Sequence, residues 1–197
     1  MAIEKKPAAY IWEAISGGNT KEVERLFHQN PDQINAYIPF GGGTFLHLAA
    51  SKSSLEVVKC LIKSGFELNK TGNTEGETAI VAACTKGNYD IVEYLLDLGA
   101  VLDVSTTSRN PLFGAIVGRS IEIVRLLLER GIDSSIQYTG GTMTEMDAIA
   151  FAFERGESEI ATIIAKWNAN GNMVKAEALL AKSMEVALLN NQRSSHS

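Results

Sequence analysis

Three histidines, two cysteines and a run of three glycines are the residues best placed to do chemistry in this chain. Hydrolysis at a metal would need His-Glu-x-x-His, and acyl transfer at a serine would need Gly-x-Ser-x-Gly; neither motif occurs. Gly41-Gly42-Gly43 could cradle a phosphate. A P-loop, however, continues into Gly-Lys-Ser/Thr, and here Thr44-Phe45 follows. No dinucleotide-binding glycine pattern is present either. Cys60 and Cys84 form no Cys-x-x-Cys pair and read as small buried side chains at equivalent depth in neighbouring segments. His28 falls near a helix end, where an imidazolium suits the dipole. No catalytic, metal-binding or cofactor-binding residue is assigned, and the chain is not expected to be an enzyme.

The elements that carry these residues recur. Aligned on the residue that opens a short apolar helix, the chain gives Tyr10, Thr44, Thr78, Asn110 and Asp147, at steps of 34, 34, 32 and 37 residues. Four of the five can accept a hydrogen bond from first-turn amides. Pro111 sits just inside the fourth start, where a missing N–H costs nothing. The helix bodies are small: Ala49-Ala50, Ala82-Ala83, Gly114-Ala115. A second helix opens at Thr20, Ser54, Asn88, Ser120 and Glu157, with an acid in every first turn: Glu22, Glu56, Asp90, Glu122 and Glu159. Apolar residues follow at i, i+3 and i+4 spacing, as in Val57-Val58 with Leu61-Ile62 or Ile91-Val92 with Leu95-Leu96, which makes one buried face. Gly65, Gly99 and Gly131 supply left-handed caps; Pro31 and Asn168 take that place in the outer units.

A period of about 33 residues built from helix, turn, helix and loop marks a stacked repeat. Gly43-x-x-x-x-Leu48-Ala49-Ala50, Gly76-Glu77-Thr78-Ala79-Ile80 and Leu95-Leu96-Asp97-Leu98-Gly99-Ala100 resemble the ankyrin repeat. The resemblance covers residues 6–168 and is strongest in units two to four. It implies an all-α repeat solenoid of about five helix–turn–helix repeats, near 6–36, 37–70, 71–103, 104–136 and 137–168. Short hairpin fingers would join the repeats and, with the first helices, line a groove. The family's Thr-Pro-Leu-His survives as Thr44-Phe45-Leu46-His47, so His47 reads as a structural hydrogen-bonding residue. A capping helix is expected over 172–190 and a flexible tail over 191–197.

Departures from the repeat point to contact residues. The loops around Tyr37-Ile38-Pro39-Phe40-Gly41-Gly42-Gly43 and Tyr138-Thr139-Gly140-Gly141 pair aromatics with glycines on fingertips. Lys52, Lys86, Gly118 and Arg155 share the exit of the first helix. Glu145, Asp147, Glu154, Glu157 and Glu159 gather around Arg155 in the fifth unit. The candidate protein-binding residues are Tyr37, Phe40, Lys52, Lys86, Arg109, Tyr138, Glu145, Glu154 and Arg155.

Hydrophobic residues make up 45% of the 197, enough for a continuous core, and the net charge of −5 argues against binding nucleic-acid phosphates. A basic protein partner suits that charge better. The start of the chain carries charges but no apolar run, and no window approaches a membrane span, so a cytoplasmic protein is expected. The irregular repeats and capping helix are similar to those of small bacterial ankyrin proteins. Some of those resemble immunity proteins, which cover the active site of a partner toxin. That implies an inhibitor of a basic toxin or enzyme, acting as a monomer or in a 1:1 heterodimer. The alternative is an adaptor that joins several proteins.

Overall fold

The computed structural model describes residues 7–38, 42–52, 54–72, 75–140 and 143–194. Five helix pairs follow one another: α1 (Pro7–Ser16) with α2 (Thr20–Gln29), α3 (Phe45–Ser51) with α4 (Leu55–Lys63), α5 (Ala79–Thr85) with α6 (Tyr89–Asp97), α7 (Pro111–Val117) with α8 (Ile121–Glu129), and α9 (Ala148–Glu154) with α10 (Ser158–Asn168). A long helix, α11 (Met173–Ser194), comes last. Two short strands, β1 (Tyr138–Gly140) and β2 (Met143–Met146), form an antiparallel hairpin between α8 and α9. None of the helices among the described residues is long and apolar enough to cross a membrane.

Contacts divide the chain into two compact units, residues 1–101 and 102–197. In the first, α1 packs on α3 and α3 on α5, while α2 packs on α4 and α4 on α6. In the second, α7 packs on α9 and α8 on α10, and α11 covers α9, α10 and β2. The small helix bodies allow this. Ala49, Ala50, Ala83 and Ala115 are fully buried, so the first helices approach closely. The second helices contribute the larger core side chains, among them Leu61, Leu95, Leu127 and Ile164, none of which reaches solvent. Phe27 adds edge-on contacts to Phe45 and Phe66.

Capping explains where the helices begin. Thr44, Asn110 and Asp147 each accept a hydrogen bond from a first-turn amide, those of Leu46, Leu112 and Ala150. Ser54 and Ser120 do the same for α4 and α8. Two openings differ from the sequence reading. Tyr10 lies inside α1, which already includes Pro7, and the cap of α2 is Asn19, whose Oδ1 accepts from Glu22 N. The ends differ too. Gly65, Gly99 and Gly131 do adopt positive φ, but in the last pair Asn168 is still helical and the left-handed residues are Asn170 and Gly171. Cys60 lies on the second helix of its pair and Cys84 on the first of the next, so their positions are not equivalent. Both are buried, and burial pushes both thiols up, away from the reactive thiolate.

α11 runs to Ser194, into the segment expected as a tail. Its Asn190 side chain pairs with the backbone of Thr144 in β2, accepting from its N–H at 2.8 Å and donating to its carbonyl at 3.0 Å. The edge of that strand is thereby closed by a side chain acting as a neighbouring strand would. Ser183 donates to Asp147 Oδ2, which ties the cap of α9 to α11.

Candidate protein-binding surface

In the first unit the fingers and first helices are organised around His47. Thr44 N–H donates to Nδ1 at 3.1 Å, and Nε2 lies 3.0 Å from the carbonyl of Glu77, thirty residues on. A backbone amide can only donate, so Nδ1 must carry a lone pair and Nε2 the proton. The ring is therefore the neutral Nε2–H tautomer, and its burial depresses the imidazole below its usual range. Glycine is required on both sides of it. A Cβ on Gly43 would stand 2.6 Å from the ring, and one on Gly72 would stand 2.5 Å from the Gly42 carbonyl and 3.0 Å from Nε2. Gly43 is thus needed for close packing, not for the backbone freedom its place in a glycine run suggests.

Beside this tie lies a depression of about 340 Å³, whose lining includes Trp12, His47, Leu48, Ser51, Glu77, Ala82, Thr85 and Lys86. Trp12 is 38% exposed, off the buried stripe of Ile11, Ala14 and Ile15. Burial pushes the Glu77 carboxyl up, and the nearby Lys86 ammonium partly offsets this. Lys52 and Lys86 are the C-cap residues of α3 and α5, the shared exit position read from sequence, but only Lys86 lines the depression among the described residues. Tyr37 is 58% exposed. Its hydroxyl donates to the Thr71 carbonyl, and its ring meets Lys70 Nζ at 5.7 Å from the centroid. Phe40 lies outside the described residues.

The candidates of the second unit do not form one cluster. Tyr138 is held by the fold: its hydroxyl donates to Val104 O at 2.8 Å and accepts from Asn110 Nδ2 at 3.0 Å, and its ring stands edge-on to Phe113. Phe113 in turn stacks on Phe151, over which Arg155 lies. Arg109 reaches Asp103 Oδ2 at 3.5 Å, and its buried Nε has no hydrogen-bond partner among the described residues. Asp103 is held below the usual carboxylate range, chiefly by hydrogen bonds from Ser105. The acidic residues of the fifth pair disperse. Asp147 caps α9, Glu157 pairs with Arg119 at 3.0 Å, and Glu159 is exposed on α10, in a depression shared with Arg125 and Glu129 of α8. Glu145 sits on β2 with a positive φ, its amide donating to Thr139 Oγ1. Glu154 and Arg155 close α9 as its last residue and its C-cap.

Sequence reasoning passed over Trp12 and Asn190. Trp12 had a signal, since it breaks the Ile11–Ala14–Ile15 spacing. Asn190 had none, because its partner lies 46 residues away.

The family model described as ankyrin repeats in three copies matches residues 11–107 and again 68–138. The chain belongs to the ankyrin-repeat family. Ankyrin repeats are protein–protein interaction modules and in general non-catalytic. The ankyrin repeat and SAM domain-containing protein 6 of Rattus norvegicus is 34% identical to this ankyrin-repeat protein over 107 residues, 54% of this chain and 12% of its own. The Notch-regulated ankyrin repeat-containing protein A of Danio rerio is 36% identical over 93 residues, 46% of this chain and 81% of its own. A probable E3 ubiquitin-protein ligase of Oryza sativa, XBOS33, is 28% identical over 163 residues, 81% of this chain and 31% of its own. The match thus spans only 12% of the first of these relatives.

Proposed function

We propose that this ankyrin-repeat protein is a non-catalytic inhibitor that holds one protein partner per chain and covers its active site, as an immunity protein covers a toxin. The observation that carries this reading is the depression between the first helices of the first unit, walled by the half-exposed Trp12 and by Lys86. A tryptophan beside a charged rim is the make-up of an interface hot spot. The net charge of −5 favours a basic partner, a nuclease-like toxin or another enzyme. The candidate contacts are Tyr37, Phe40, Lys52 and Lys86 on the first unit and Arg109, Glu145, Glu154 and Arg155 on the second, each set taken by itself. Tyr138 would act indirectly, by holding its finger in place. The cytoplasm is the proposed compartment.

A second reading is an adaptor joining several proteins. It is favoured by the relatives of which the matched region is only a fraction. Capture of the tagged protein with its partner from its own cells, followed by affinity and activity measurements, separates the two. The inhibitor reading expects one stoichiometric partner, a Kd of ~10⁻⁹ M or tighter, and loss of that partner's activity on binding. Trp12→Ala should weaken this affinity by about 100-fold, as truncation of a hot-spot aromatic does. Several partners held near ~10⁻⁶ M, each still active, would overturn the inhibitor reading in favour of the adaptor.

A further inference from the structure

The outer face of α11 carries a regularly spaced stripe, apolar but for Glu185. Its inner face, Ala176, Leu180, Ser183, Ala187 and Asn190, steps by four and three residues and packs toward α9 and β2. The opposite face repeats the same steps with Val174, Ala178, Ala181, Glu185 and Leu188, all exposed. Val174 is 77% exposed and Leu188 57%; Met184 and Leu189 flank the stripe and are exposed as well. Alternating steps of three and four residues are the spacing of a coiled-coil seam. The 22 residues of α11 give a helix about 33 Å long at 1.5 Å per residue.

The charges beside the seam select both the occupant and its direction. Glu177 borders the stripe on one side and Lys182 on the other, five residues later. In two parallel helices related by a two-fold axis, a residue on the first flank meets the residue five positions on in the second copy's opposite flank. Glu177 then faces Lys182 of the second copy, and the symmetry makes that pair twice. The same rule brings Met184 onto Leu189 of the second copy. An antiparallel pair would set each flank against its own kind, with Lys182 beside Lys182 of the second copy and Glu177 facing no lysine. We infer that α11 is a self-association helix that pairs in parallel with α11 of a second copy through Val174, Ala178, Ala181 and Leu188. The residues opposite the seam are the buried ones of α11, which packs on α9, α10 and β2, so the exposed seam is open to a second helix. Ala178 and Ala181 let the helices approach closely but bury little area, and Glu185 meets its own counterpart across the seam. A single helix pair falls in the small-interface class, below about 1,200 Å², so the association is weak and reversible.

Sedimentation equilibrium of the full chain, from micromolar to near-millimolar loading, tests this directly. The expected result is a monomer–dimer equilibrium. Val174→Glu and Leu188→Glu should each weaken it at least about tenfold, and Glu185→Leu should tighten it by a similar factor. The changed side chains are solvent-exposed, so melting temperatures should stay level. Lys182→Glu should weaken the dimer, and Glu177→Lys added to it should restore it. A monomer at every loading would overturn the inference. So would a dimer indifferent to both seam variants, or one that Lys182→Glu leaves unchanged, since in antiparallel pairing that variant only exchanges one like-charge contact for another.

Discussion

At the scale of the residue, His47 carries the most consequence. Its ring is buried as the neutral tautomer, so it holds a proton less tightly in the folded chain than in the unfolded one. Below the usual imidazole range the unfolded state therefore binds more protons, and stability rises with pH across that window. The contribution is fully present above ~6.5, the unfolded value, and is lost as pH falls through the depressed folded value. Urea melts of the wild type and of His47→Ala at about pH 7.5 and about pH 5.5 should show the gap between them narrowing in acid. At the higher pH the variant should cost about 1–3 kcal/mol, since the buried Thr44 amide loses its acceptor while the Glu77 carbonyl keeps the Gly72 amide. A gap that widens in acid would contradict the assigned tautomer. Tyr138 offers a second test. Tyr138→Phe keeps the ring contact with Phe113 but leaves the Val104 carbonyl and the Asn110 amide without their shared hydroxyl. A loss of about 1–3 kcal/mol in thermal or chemical denaturation is expected, and an unchanged melt would return Tyr138 to the pool of free surface anchors.

At the scale of the element, the helix pairs stand on their small first helices and large-residue second helices. Leu95 is wholly buried on α6, and Leu95→Ala should cost roughly 2–5 kcal/mol in equilibrium denaturation. Ser120→Ala removes one capping acceptor from the Ile123 amide and should cost about 1 kcal/mol. These elements were legible in the sequence because their signals are local: a cap residue, an acid in the first turn, apolar residues three and four apart, and a glycine after the end. The first pair was read less well, since α1 includes residues before Tyr10 and no cap among the described residues marks its start. The last pair misled in the other direction, because Asn168 resembles a terminator and is not one. Fingertip aromatics were harder still. Tyr37 and Tyr138 look alike in sequence, and each hydroxyl donates to a carbonyl one repeat away. Yet the Tyr37 residue stays exposed, while the Tyr138 ring packs on Phe113 and its hydroxyl also accepts from Asn110. Spacing reveals which face of a helix is buried; it does not reveal what a loop side chain will find across a distance of one repeat.

At the scale of the whole molecule, the charge balance is what a partner meets first. The net charge of −5 should speed encounter with a basic protein and do little to slow its release. Raising the salt from ~50 to ~500 mM should lower the association rate of such a partner by about tenfold or more while leaving its dissociation rate nearly unchanged, measurable by stopped-flow mixing. A rate that ignores salt would indicate a partner without a basic face.

Gly43, His47 and Gly72 sit in different segments but share one volume. A methyl group at Gly43 can be accepted only if the ring shrinks, one at Gly72 would meet the Gly42 carbonyl whatever stands at 47, and a smaller residue at 47 leaves Thr44 and Glu77 unjoined. Across descendants of this sequence, then, Gly43 and His47 should change together or not at all, and Gly72 should stay. Single changes would act as dead ends, and a lineage that has lost the imidazole should be the one that has also filled position 43.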